Sequence, residues 1–124
     1  MTFTQNKGIL ISYLLIKLSD DQVIIPHENL TAYLLVPKER DDKSQFLAQA
    51  GFTQDNPNEL DTALRRLIQE HDAIADRNNE YGTFYQVTGA LHGTLKTLAV
   101  VTVWLHIAHN AVYRFITLKP NKEE

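Results

Sequence analysis

Lys43, His106, Arg114 and Thr117 are the side chains of this sequence whose types could combine in one reaction. Cleavage of RNA without a metal needs a group that moves a proton and cations that steady the charge building on phosphorus. An imidazole at 106, cations at 43 and 114 and a hydroxyl at 117 would supply that set. Arg114 and Thr117 are three apart in a stretch that reads as a strand, where side chains alternate between faces, so they share a face only if the strand carries a bulge. Arg114 would sit on the side of Val112 and Ile116, apolar company in which an arginine must reach solvent or find a partner. An edge-strand charge that discourages aggregation, or one that pairs with a helix carboxylate, accounts for it more readily than anion binding does.

The five histidines invite a metal reading that their spacing does not support. His106 and His109 are three apart across a strand end, which guarantees no common face, and cysteine is absent, so no metal site is expected. His27 falls in the first turn of a helix, His71 between Glu70 and Asp72, and His92 in a turn; each reads as a polar surface residue. Trp104, Tyr85 and Tyr113 could form a binding surface on which a base stacks, although aromatic pairs across strands more often belong to a core. There is no phosphate loop, nucleotide-binding glycine motif or serine-hydrolase elbow, which removes several enzyme classes, and no cofactor is implied.

The elements that would position these residues follow from hydrophobic period and punctuation. Ile9–Leu18 reads as a strand, and Ser19, Asp20 and Asp21 as a turn into a short returning strand, Gln22–Ile25, which makes an N-terminal hairpin. Pro26 opens a helix that runs to about Val36 and ends before Pro37. Asp41 or Asp42 caps a second, short helix through Ala50, with Gly51 in the left-handed position that ends it and Phe52 folding back. Asn56 and Pro57 start a third, in which Leu60, Ala63, Leu64, Leu67 and Ile68 recur at helical spacing to about Ala73. Asp76–Glu80 reads as a polar loop. Tyr81–Leu91, Leu95–Leu105 and Ala111–Leu118 then read as three strands joined by tight connections.

That order is an α+β fold: an N-terminal strand or hairpin, three helices, then a three-stranded antiparallel meander packed against the helices, with the other sheet face available. The 124 residues form a single domain, 44% hydrophobic and 22% charged, a profile that folds without staples, with polar ends expected to fray at about 1–7 and 121–124. Twelve basic against fifteen acidic residues give a net charge of −3, so no global field holds a nucleic-acid backbone and an RNA role would need a local basic patch. The apolar run Gly8–Leu18 is too short to span a bilayer and no cleavage site follows it, so the expectation is a cytoplasmic protein without a membrane partner.

The succession IIPHENLTAYLL, DDKSQFLAQAGF, an amphipathic helix, EYGTFYQVTGALHG and VTVWLHIAHNAVYRFITLKP resembles a small bacterial family of unknown function, number 6883, from about Leu15 to Pro120. The points that carry the resemblance are Tyr33-Leu34-Leu35, Lys43 with Gly51-Phe52, Tyr81-Gly82, Trp104, and Arg114 to Thr117. It implies an α+β fold in a bacterial, non-secreted setting, among small mobile modules some of which resemble toxin domains. Two functions follow as expectations. The first is a non-catalytic protein-interaction module of a small gene pair, toxin–antitoxin-like, whose partner is another small protein or a second copy. The alternative is a metal-independent ribonuclease-like toxin domain acting on RNA through Lys43, Arg114, Thr117 and His106.

Overall fold

Thr97–Ile107 is the strand that the others are ordered around, and its sequence explains why. Leu98, Val100, Thr102 and Trp104 are buried, while the residues between them are half-buried, so both faces are largely apolar, as a central strand requires. The computed structural model describes residues 15–39 and 42–122. Within them, six strands form one mixed sheet: β1 (Leu15–Ile16), β2 (Val23–Ile24), β3 (Ala73–Asn79), β4 (Gly82–His92), β5 (Thr97–Ile107) and β6 (Tyr113–Pro120), in the spatial order β1-β3-β4-β5-β6-β2. All neighbours are antiparallel except β2 and β6, which run parallel.

The expected three-stranded meander on three helices is therefore wrong: the sheet has six strands, curls into a half-barrel, and carries only short helical pieces. Two physical reasons account for the error. Ala73–Asn79 contains Asp76, Arg77, Asn78 and Asn79, a composition that reads as loop, yet all four are exposed strand residues, the last three paired with β4 and Asp76 standing at a bulge. The expected N-terminal hairpin does not form either. β1 and β2 separate to opposite edges, Leu15 pairing with Ile74 and Val23 with Tyr113, partners that lie far along the chain. Of the expected strand Ile9–Leu18, residues 9–14 lie outside the described residues, as do Asp41 and most of the two expected frayed ends.

The helices are shorter than their patterns suggest. The first is a six-residue π-helical segment, Asn29–Leu34, closed by Leu35 N–H donating to the Leu30 carbonyl at 3.0 Å. α1 (Ser44–Ala48) opens two residues after Asp42, whose Oδ1 accepts from Ser44 N–H at 2.8 Å and Ser44 Oγ at 2.6 Å and so satisfies the first helical N–H. Gly51 closes it at φ 99° and Phe52 turns back into the core, as the sequence implies. α2 (Pro57–Glu70) buries Leu60, Ala63, Leu64, Leu67 and Ile68 along one stripe and lies against β4.

Every buried apolar residue of the strands belongs to one face of the sheet: Val23, Ala73, Val87, Leu91, Leu98, Val100, Trp104, Tyr113, Phe115 and Leu118 all point toward the helices. Thr102 is buried among them because its hydroxyl is fully used, donating to the Val87 carbonyl at 2.8 Å and accepting from Trp104 Nε1–H at 2.8 Å. The opposite face contributes nothing to this core.

Candidate functional site

The open face is built from cross-strand rows fixed by register. One row runs Leu15, Ile74, Gln86, Val103, Thr117; the next runs Arg77, Phe84, Leu105, Arg114, Ile24; a third holds Thr88, Val101 and Lys119. Its middle is a half-buried aliphatic strip, Val101, Val103 and Leu105, and its margins carry Ile24 and Ile74 at 46% and 52% exposure. Cations flank the strip. The Arg77 guanidinium lies 4.6 Å from the Phe84 ring centroid, Arg114 is exposed beside Leu105, and Lys119 and Lys122 border a depression of about 590 Å³ with Gln86, Thr88 and Val101. The neighbouring acid, Asp76, is 3.5 Å from Arg77 Nη1.

A bulge decides where Arg114 and Thr117 point. β6 shifts register between Val103 and Trp104 of β5, so Ile116 is an extra residue: Phe115 opposes Trp104, Thr117 opposes Val103, and Arg114 opposes Leu105. Val103 and Leu105 are two apart on β5 and share a face, so Arg114 and Thr117 share it as well. This is the condition under which the sequence allowed them to act together. Thr117 Oγ1 also accepts a hydrogen bond from Lys43 Nζ at 2.9 Å. Asn29 Nδ2 donates to the Phe115 carbonyl at 2.9 Å, tying the π-helical segment to the β6 edge beyond the reach of β2. Lys43, Thr117, Asn29, Tyr33 and Lys38 surround a small cleft of about 160 Å³ there, with Lys38 Nζ 5.0 Å from the Tyr33 centroid.

His106 does not join them. It opposes Tyr113 and Thr83 on the helix side of the sheet, and its ring stacks on Tyr113 at 4.4 Å and 11°. Its Nε2–H donates to the Asn110 carbonyl at 2.8 Å, which commits that nitrogen to closing the β5–β6 turn. Tyr85 meets Tyr113 edge-on at 5.5 Å, and burial raises the Tyr113 phenol above its usual range, with Tyr85 a smaller cause. Trp104 is fully buried, edge-on to Phe115 at 5.2 Å, and has no ring face to offer a ligand. Of the expected aromatic surface, Tyr85 and Tyr113 meet at the end of the helix side. The aromatic on the open face is Phe84, whose place is legible only once the strand register is known.

A family model described as a domain of unknown function, DUF6883, matches residues 17–122. The chain belongs to the DUF6883 family. No curated protein and no solved structure matches it. The DUF6883 span takes in β2 to β6 and both α-helices, so all of the open-face rows except Leu15 lie within it. The family brings no activity with it, and the residues have to be weighed on their geometry. Among the described residues no three histidine, aspartate or glutamate side chains gather as a metal site would require, and no helix is long and apolar enough to cross a membrane.

Proposed function

We propose that this DUF6883 domain is a non-catalytic protein-interaction module, and that its open sheet face receives an acidic, amphipathic segment of another small protein, of the kind that a paired-gene system supplies. The observation that carries this reading is charge segregation. In a chain of net charge −3, the aliphatic strip Val101, Val103 and Leu105 is flanked by Arg77, Arg114, Lys119 and Lys122. A partner with an apolar stripe bordered by carboxylates matches that surface, burying the strip while the rim cations steer and orient it. The strip is aliphatic, with Phe84 beside Leu105 on the neighbouring strand, which suits a protein surface better than a series of stacked bases.

Affinity capture from the producing cell with wild type, Val103→Asp, the double variant Arg114→Glu/Lys119→Glu, and Lys96→Glu as a control on the far turn tests it. Wild type and the control retain a protein with an acidic amphipathic segment. Val103→Asp abolishes its binding, because a carboxylate would be buried against apolar surface, and the double reversal slows association and removes its salt dependence. Retention of the same protein by all four, or capture of RNA in its place, overturns the proposal.

The ribonuclease-like alternative draws on a different observation, the Lys43–Thr117 hydrogen bond beside a face that also carries Arg114. Its proton-transfer group, His106, lies on the opposite face. The reading requires RNA cleavage that is lost in both Lys43→Ala and Arg114→Ala.

A further inference from the structure

Away from the open sheet face, a groove of about 460 Å³ runs between α2 and the β4–β5 turn, a size typical of small-molecule sites. Its floor is apolar, formed by Phe52, Ala63 and Gly93. Its far wall is fixed in place: Leu95 N–H donates to the Ala50 carbonyl at 3.0 Å, and Gly93 packs so closely on that carbonyl that a Cβ would overlap it. The near wall is the exposed stripe of α2, with Glu59 toward one end and Arg66 toward the other.

Glu59 is without a partner among the described residues, and Arg66, ion-paired with Glu70 through Nε, keeps further guanidinium donors for a ligand. Arg66 Nε donates to Glu70 Oε2 at 3.1 Å. Glu70 is thereby held below the usual carboxylate range, chiefly by that bond, and its other oxygen lies 3.8 Å from His92 Nε2. The clamp orients the guanidinium beside the groove. Glu59 and Arg66 are seven residues apart on one helix face, a rise of about 10.5 Å, and an extended chain of three residues covers about 10 Å.

We infer that this groove binds a short peptide with free termini, its ammonium at Glu59, its carboxylate at Arg66 and its central apolar side chain on Phe52 and Ala63. The site is independent of the sheet-face reading. The test is a chemical-shift titration of the full chain with alanyl-leucyl-alanine, and with the same peptide acetylated and amidated. The free peptide shifts Ala63, Arg66 and Thr94; the blocked peptide, Glu59→Gln and Arg66→Gln each weaken binding about tenfold. Thr62→Trp, an exposed position on the rim, blocks binding in a protein that remains folded, and Val103→Asp leaves it unchanged. Equal affinity for both peptides, shifts confined to Val101 and Val103, or no shifts up to roughly 10 mM peptide overturn the inference.

Discussion

Replacing Thr102 by valine keeps the shape of a side chain at the centre of the core and removes its hydroxyl. That hydroxyl is the acceptor for Trp104 Nε1–H and a donor to the Val87 carbonyl, both at 2.8 Å, and Thr102 and Trp104 are both fully buried. The valine leaves an indole N–H without a partner, a loss of about 1–3 kcal/mol, while the extra methyl group regains less than about 1 kcal/mol by burial. The net expectation is a destabilisation of about 1–2 kcal/mol. In urea this appears as a lower midpoint with an unchanged slope, since the area exposed on unfolding is nearly the same. Trp104→Phe then serves as the second arm of a double-mutant cycle. In the wild-type background it removes a bonded N–H together with ring area; in the valine background it removes an orphaned one, so its cost should fall by about 1 kcal/mol. A Thr102→Val protein within about 0.3 kcal/mol of wild type, or strictly additive variants, would refute the claim that this bond holds the tryptophan in the core.

Two further outcomes follow from the same structure. Gly82 has φ 149° and stands against the His106 carbonyl, so Gly82→Ala should lower stability by roughly 2 kcal/mol or more, read as a drop in Tm with the far-UV spectrum retained. Asp42 is held below the ordinary carboxylate value, first by the Ser44 hydroxyl and then by the Ser44 N–H. A folded-state value depressed in this way stabilises the protein above the unfolded carboxylate pKa of about 4, and that contribution is lost as the pH falls through the lower folded value. Ser44→Ala should move the Asp42 titration upward, followed by carbon-detected NMR of the carboxyl group, and should flatten the acid limb of the stability profile.

What the sequence conveys about this fold tracks how local each determinant is. α2 and the end of α1 are legible because their signals lie within a few residues: Pro57 at the first helical position, the stripe from Leu60 to Ile68, and Gly51 followed by Phe52. The edges of the sheet are not. β1 and β2 fall inside stretches that read as strands, Ile9–Leu18 and Gln22–Ile25, but their partners, Ala73–Ile74 and Tyr113–Arg114, lie far along the chain, and no local signal separates two edge strands from a hairpin. β3 carries exposed polar side chains because it lies next to the sheet's edge, where charge and amide groups discourage further pairing, so its composition mimics a loop.

The candidate site divides along the same line. Strand alternation correctly states that Arg114 and Thr117 oppose each other in a regular strand, and no pattern within Tyr113–Pro120 announces the extra residue at Ile116. The bulge arises where β6 loses its parallel neighbour. β2 accompanies only Tyr113 and Arg114, and beyond them the Asn29 side chain takes the Phe115 carbonyl in place of a strand. Satisfying that edge with a side-chain amide does not require the regular ladder that strand pairing imposes, so the next turn of backbone can take an additional residue. Thr117 is then carried onto the face of Arg114 and into reach of Lys43. Asn29, 86 residues upstream of Phe115, bonds the backbone where the bulge begins, a contact that belongs to the folded chain rather than to any local motif.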